Sequence, residues 1–303
     1  MMIWKLPSNV FNPPPPKKHD PLGHVFSPVW KKMRMFFPKI RKQYNMESYA
    51  PHIAILIPLY NGVEYIEEAI KSVIGQSIAA HLWELIIGVN GHPPNSKVYR
   101  TVCDIARKYP NSPVRVIDYG ALPKPPCGKS ATLNCMVEMA NPSAQWIAIL
   151  DADDIWLSDK LKCQLRRTYP IIRTLAGGAR EKQYPYDVIG TQCEYIDQRG
   201  ALIGRSPHIP VGEIKGMIMV ENPVINSSAL IRRELAHWDE KWESCEDYEL
   251  WLRLNKGGAT FYNCAEYAVL HRIYPTSAFN GSNKQKAKLA ELRSEYAVPC
   301  GRT

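Results

Sequence analysis

Trp146-Ile147-Ala148-Ile149-Leu150 is an unbroken apolar run that leads straight into Asp151-Ala152-Asp153-Asp154. Five apolar residues in a row, bounded by polar ones, read as a strand buried on both faces. Three carboxylates in the next four residues concentrate negative charge at its carboxyl end. Carboxylates this close repel one another unless a cation neutralises them. Hard oxygen ligands suit Mg²⁺ or Mn²⁺ bridging a diphosphate. The competing reading is a polar turn capping the next helix, because Asp is common in turns and at N-caps. On these four residues alone the two readings stand level.

The run belongs to a repeating pattern. Residues 53–57 form an apolar strand expected to stop at Pro58, and Glu64, Glu67 and Glu68 suit the first turns of a helix reaching about residue 77. A strand at 85–89 precedes a helix at 96–109, and a strand at 114–117 precedes a helix at 129–139. Such alternation predicts right-handed βαβ units: an α/β fold with a Rossmann-like, mostly parallel central sheet and flanking helices. Ligands in such sheets bind beyond the carboxyl ends of the strands. Residues 58–61, Asn90-Gly91-His92 and the Asp run all fall there. Beyond about residue 170 the rhythm loosens. Strands are expected at 187–196 and 224–231, a turn at Gln198-Arg199-Gly200, and a helix at 246–255. Two short apolar segments follow around Phe261 and Val269, then a polar, lysine-rich helix at 283–297.

The chain has 303 residues, 45% hydrophobic and 22% charged, enough for one large domain or two small ones. This composition excludes a collagen, a disulfide mini-scaffold and a wholly disordered chain. Of the formal net charge of +9, residues 1–50 alone carry +7. The basic character therefore belongs to an N-terminal extension, and a nucleic-acid partner is not expected. Pro13 to Pro16 favour an extended polyproline segment. Trp30 and Lys31-Lys32-Met33-Arg34-Met35-Phe36-Phe37 suit a peripheral contact with an anionic membrane. The plainer reading is a solvated tail. No uncharged apolar run approaches the roughly 18–20 residues of a membrane helix, and the N-terminus does not read as a signal peptide. The eight cysteines form no CxxC pair or zinc-spaced Cys/His cluster, so buried thiols in a reducing, cytoplasmic compartment are expected. The expected organisation is an extension over 1–50, one folded domain over 51–280 and a polar tail over 281–303.

Three further motifs have two readings each. Ser244 and Asp247 have capping-box spacing at the start of a helix, which explains both residues structurally. The alternative is a carboxylate facing the crevice as general base. Gly128-Lys129-Ser130 resembles the end of a phosphate-binding P-loop, but position 123 is Pro where that motif needs Gly. The pair could still offer a backbone amide and an ammonium to a phosphate. His271-Arg272 could add a metal ligand or a phosphate contact, although a lone His beside apolar residues is more often structural.

Taken in order, Ile-Pro-Leu-Tyr-Asn (57–61), Gly-Lys-Ser-Ala-Thr-Leu-Asn (128–134), Leu-Asp-Ala-Asp-Asp (150–154), Asn-Ser-Ser-Ala-Leu-Ile-Arg-Arg (226–233) and Glu-Asp-Tyr-Glu-Leu-Trp-Leu-Arg-Leu (246–254) resemble the inverting family 2 glycosyltransferases of the GT-A fold. The resemblance spans about residues 51–280. It implies that Asp151 and Asp153, with Ala152 between them, are the DXD carboxylates that hold Mn²⁺ or Mg²⁺ and the donor ribose. It implies that Asp247, beside Glu246, is the catalytic base, and that Pro58, Tyr60 and Glu64 surround the nucleotide. Three departures go with it. Asn90 stands where an Asp usually contacts the base, Leu133 replaces an Arg whose charge Lys129 could supply, and His271 is displaced from the usual Arg-x-His position as candidate metal ligand. The implied partners are a nucleoside-diphosphate sugar, UDP favoured over GDP, and a hydroxyl acceptor on a glycan, lipid or protein. Without a Gln-x-x-Arg-Trp motif or membrane helices, one sugar per encounter is expected. An inactive carbohydrate-binding relative and a nucleotidyltransferase are the alternatives.

Overall fold

Apolar residues at both odd and even positions of 53–57 and 85–87 leave no face for water, and all of Ile53, Ala54, Ile55, Leu56, Ile57, Leu85, Ile86 and Ile87 are fully buried. The computed structural model describes residues 52–169, 171–174, 180–206, 209–275 and 283–296. The chain divides into Met1–Phe36 and Phe37–Thr303, and the described residues all belong to the second unit. The polyproline and membrane-contact readings of residues 1–50 lie outside them.

The chain begins β1 (Ile53–Leu59), α1 (Ile66–Ile74), β2 (Trp83–Val89), α2 (Lys97–Arg107), β3 (Val114–Asp118), α3 (Gly128–Met139) and β4 (Trp146–Ile149). It continues β5 (Ile155–Trp156), α4 (Lys160–Leu165), β6 (Ile171–Thr174), β7 (Arg180–Gln183), β8 (Val188–Ile196), β9 (Leu202–Arg205) and β10 (Gly212–Glu213). Last come β11 (Leu230–Arg232), α5 (Glu246–Lys256), β12 (Phe261–Arg272) and α6 (Asn283–Tyr296).

One half of the sheet, in the order β3-β2-β1-β4, is entirely parallel. The chain steps outward from β1 to β2 to β3 and then returns to pair β4 on the far side of β1. That reversal makes the carboxyl ends of β1 and β4 the switch point, where such sheets bind ligands. The other half is mixed. β11 inserts antiparallel between β4 and β8, while β12 runs parallel to β8 and carries β10 and β5 on its edge. β9 pairs with β8, and β6–β7 form a separate antiparallel pair.

Three local expectations are corrected. β1 runs through Pro58, which lies opposite Gly88. Leu56 O accepts from Leu150 N–H and Leu59 O accepts from Asn90 N–H, so position 58 faces the β4 side, beyond the last β1–β4 pair at Leu56. Proline's missing donor therefore breaks no ladder bond. Within 224–231, only the end is strand, because Asn226–Ser228 is a 3₁₀ turn whose hydroxyls bond elsewhere: Ser228 Oγ to Ile225 O, and Ser227 Oγ to Asp154. The segments around Phe261 and Val269 are one strand interrupted by register shifts. The terminal helix α6 is anchored by fully buried Leu292 and by Tyr296 Oη donating to Glu249 Oε1 at 2.8 Å. Among the described residues no helix is long and apolar enough to cross a membrane. All described cysteines are free thiols.

Candidate active site

The acidic turn after β4 splits its three carboxylates. Asp154 turns inward, 1% exposed, and accepts from Ser227 Oγ and from Arg272 N–H at 2.8 Å; its Oδ2 lies 2.9 Å from His271 Nδ1. Asp151 and Asp153 remain partly exposed, while Ala152 between them is buried in the core. Asp151 accepts from Asn226 Nδ2 at 3.0 and 3.2 Å and pairs with Lys129 Nζ at 2.7 Å. Asp153 Oδ2 accepts from Tyr274 Oη at 2.9 Å. The turn and cation readings thus hold for different residues of one run.

Their electrostatics differ accordingly. Burial, then the charges of Asp154 and Asp151, push the Asp153 carboxyl up to about 6, with Tyr274 offsetting part of the rise. Burial works the same way on Asp151, but Lys129 and Asn226 outweigh it and hold Asp151 below its ordinary range. Burial opposes the Lys129 charge, and Asp151 and Glu246 together more than restore it. For His271 burial is likewise overcome, chiefly by Asp154, and the ring is raised to about 9.

Lys129 joins this turn to the start of α5. Its Nζ lies 3.4 Å from Glu246 Oε1, and Glu246 Oε2 is buried without a hydrogen-bond partner. Asp247 Oδ2 accepts from Asn222 Nδ2 at 3.0 Å. Burial raises both carboxyls, and Lys129 offsets part of that rise in each. The capping box is not formed: Cys245 is the N-cap residue with no side-chain cap, and Ser244 has φ +76°, a conformation few non-glycine residues adopt. The neighbouring Glu243 instead caps α3, accepting from Lys129 N–H at 3.1 Å and Ser130 N–H at 2.9 Å. Gly128 makes this approach feasible, since its φ is +89° and a Cβ there would run into the Glu243 carboxylate. The expected meeting of phosphate with these amides is therefore displaced by the chain's own carboxylate, and only the Lys129 ammonium faces the site.

The remaining candidates lie around the β1 and β2 ends. Pro58 is half-buried inside β1, and Glu64 is exposed on the following loop. Tyr60 is exposed, with its ring against Gly91 and 5.6 Å from the His92 ring. Asn90 is buried; its Nδ2 donates to Thr132 Oγ1 at 2.6 Å and its Oδ1 has no hydrogen-bond partner. One amide hydrogen is thus committed to α3, which leaves Oδ1 as the amide group without a protein partner.

Sequence reasoning assigned no role to Asn226, Ser227, Asn222 or Glu243, whose side chains orient the acidic residues and the Lys129 helix. The polar triplet Asn226-Ser227-Ser228 between apolar Val224-Ile225 and Ala229-Leu230 was the available signal. Arg272 is not a phosphate contact. It is 2% exposed, and its guanidinium bonds Asp153 O, Asp197 O, Gln198 O and Glu68 Oε2 while covering the Tyr65 ring at 4.4 Å. Beside it opens a cavity of about 610 Å³, lined by Tyr65, Tyr274, Ile273, Pro275 and the turn residues Asp197 to Arg199.

A parallel half-sheet with its acidic turn at the switch point puts the chain among the α/β proteins whose ligand crevice lies beyond the carboxyl ends of the strands. Residues 54–169 match the family described as Glycosyl transferase family 2. The chain is 24% identical over 229 residues to the uncharacterized glycosyltransferase MJ1057 of Methanocaldococcus jannaschii, covering 74% of this chain and 71% of that one. It is 26% identical over 245 residues to Bacillus subtilis TuaG, a glycosyltransferase named for teichuronic acid biosynthesis, covering 80% and 86%. Its fold matches S. aureus TarS in complex with UDP-GlcNAc, at TM-score 0.56 and 14% identity, covering 79% of this chain and 65% of that one. It also matches the mannosyltransferase PcManGT of Pyrobaculum calidifontis in complex with GDP-Man and Mn²⁺, at TM-score 0.57 and 13% identity, covering 88% and 71%. Over residues 54–169 the chain is thus similar to the family 2 glycosyltransferases, and its fold is the GT-A fold shared with TarS and PcManGT.

Proposed function

We propose that the chain is a metal-dependent inverting glycosyltransferase that moves one sugar from a nucleoside-diphosphate sugar to a hydroxyl acceptor, with Asp247 as general base. The observation that carries this is Lys129, whose one ammonium reaches both Asp151 at the strand end and Glu246 beside Asp247. This supports a single crevice shared by the donor-side carboxylates and the candidate base next to Glu246.

The donor set suits Mn²⁺ or Mg²⁺. Asp151, Asp153 and His271 combine carboxylate oxygens with an imidazole, and the mutual repulsion that raises Asp153 is what a cation relieves. When bound, the ion would neutralise charge on the departing nucleoside diphosphate. Asp154 bonded to His271 Nδ1 fixes the tautomer in which Nε2 is the ligand nitrogen. Lys129 adds a fixed positive charge on the diphosphate side, and Glu246 holds it there.

Asp247 takes the proton of the acceptor hydroxyl as that oxygen attacks the anomeric carbon. The bond to the diphosphate breaks on the opposite face, which inverts the centre. Burial raises the Asp247 carboxyl and makes it a stronger base, while Asn222 orients it. Asn90 Oδ1, an acceptor without a hydrogen-bond partner, suits the ring N–H that uracil and guanine both present. TarS with UDP-GlcNAc and PcManGT with GDP-Man support a donor of one of these kinds. Residues 1–50 are proposed as a peripheral membrane contact, which liposome co-sedimentation with and without them tests.

The test of the function is a screen of UDP-, GDP- and dTDP-sugars with Mn²⁺, Mg²⁺ or EDTA. Metal-dependent release of a nucleoside diphosphate is expected. Release of pyrophosphate instead would identify a nucleotidyltransferase, and donor binding without turnover even with acceptors supplied would identify an inactive relative.

A further inference from the structure

Away from the crevice, α4 and β12 bring together two thiols and a carboxylate that the reaction does not use. Cys163 Sγ, Cys264 Sγ and a Glu266 oxygen all lie within 4.8 Å of one another. We propose that Cys163, Cys264 and Glu266 form a structural site for a thiolate-binding divalent cation of the zinc type. Two thiolates with one carboxylate and a water are a donor set for tetrahedral Zn²⁺, and thiolates select against Mg²⁺.

Two independent features point the same way. The first is backbone. The β8–β12 register jumps from Asn263↔Gly190 to Tyr267↔Gln192, so three residues of β12 stand against the single Thr191 of β8. The skipped residues are 264–266. Bulges of this kind re-aim side chains, and this one brings buried Cys264 and exposed Glu266 to the same point. The second is charge. Lys160 is fully buried, its Nζ donating to Gln164 Oε1 at 2.8 Å and set over the Trp156 ring at 3.9 Å; burial pushes its pKa down to about 7, and the neighbouring Cys163 and Cys264 would, as anions, hold it charged. Among the described residues it has no carboxylate within ion-pair reach. Buried charges are ordinarily paired. A dication with two thiolates and one carboxylate carries one net negative charge, which the Lys160 ammonium would balance.

Binding would release the thiol protons, including the one that Cys163 Sγ now donates to Lys160 O at 3.0 Å. The ion would staple the helix that follows the acidic turn to the strand that carries His271 near its end, thereby stiffening both walls of the crevice.

The experiment uses the full chain, reduced and stripped with EDTA, in an Asp153→Ala background that removes the crevice's own cation site. Zn²⁺ and Co²⁺ are titrated. One equivalent of Zn²⁺ and a thiolate-to-cobalt charge-transfer band are expected, with a rise in melting temperature. Cys163→Ser and Cys264→Ser should abolish the band. Glu266→Ala, at an exposed position that the fold tolerates, should weaken Zn²⁺ binding about tenfold or more and shift the band. Unchanged Zn²⁺ uptake and cobalt spectrum in all three variants would overturn the proposal. So would a reduced protein that takes up no Zn²⁺ and merely forms a Cys163–Cys264 disulfide when treated with peroxide.

Discussion

Lys129 Nζ stands 2.7 Å from Asp151 Oδ1 across the switch point of the sheet. It lowers the Asp151 pKa and is itself held charged. Lys129→Ala should therefore raise the Asp151 pKa, leave Glu246 without its only ion-pair partner among the described residues, and cut turnover by about tenfold to a hundredfold. Lys129→Arg should recover part of the loss, which steady-state kinetics with a fixed donor checks.

The base assignment predicts a pH effect. Protonation of Asp247 stops it accepting a proton, so turnover should fall as pH drops through its raised pKa. Asn222 donates to the charged carboxylate and lowers that pKa. Asn222→Ala should move the acid limb of the kcat profile to higher pH; an unmoved limb would assign it to another group.

The His271–Asp154 pair has two linked consequences. In EDTA-treated protein, the folded-state pKa of about 9 lies above the free-imidazole value of 6.5. The pair's stabilisation is then fully present below pH 6.5 and lost as pH rises through about 9. A protonated imidazole cannot bind a metal, so Mn²⁺ affinity should climb over the same interval. His271→Ala should weaken Mn²⁺ binding and flatten that climb, as calorimetry at stepped pH would record.

Glu243 caps α3 from a distant segment. Glu243→Ala should cost about 0.5–2 kcal/mol of stability, the usual range for losing an N-terminal cap. Because the same cap positions Lys129, turnover should fall as well. Urea denaturation together with kinetics separates the two effects.

The parallel half of the fold was legible because β1, β2 and β4 each contain a contiguous apolar run, β3 an apolar segment broken only by Arg115, and each crossover a helix. The short strands β5, β9 and β10 carry no such signal; two to four residues become a strand only through their neighbours in the sheet. The site divides the same way. Asp151, Asp153 and Asp154 are the same residue type, and which of them turns inward depends on Ser227, His271 and Arg272, supplied from far along the chain. Ser244 has the spacing of a capping residue, but Glu243 beside it is drawn across to α3 and the backbone turns left-handed at Ser244 itself. Spacing reports what a local segment can do, and here a tertiary contact decides otherwise.

The most direct test of the central claim is nucleoside-diphosphate release from UDP- and GDP-sugars by the wild-type chain and by Asp247→Asn, each with Mn²⁺ or EDTA. Release should require the metal and fall by about 10²-fold or more in Asp247→Asn, with donor affinity nearly unchanged. Release that persists in EDTA and in Asp247→Asn would contradict both the metal and the base.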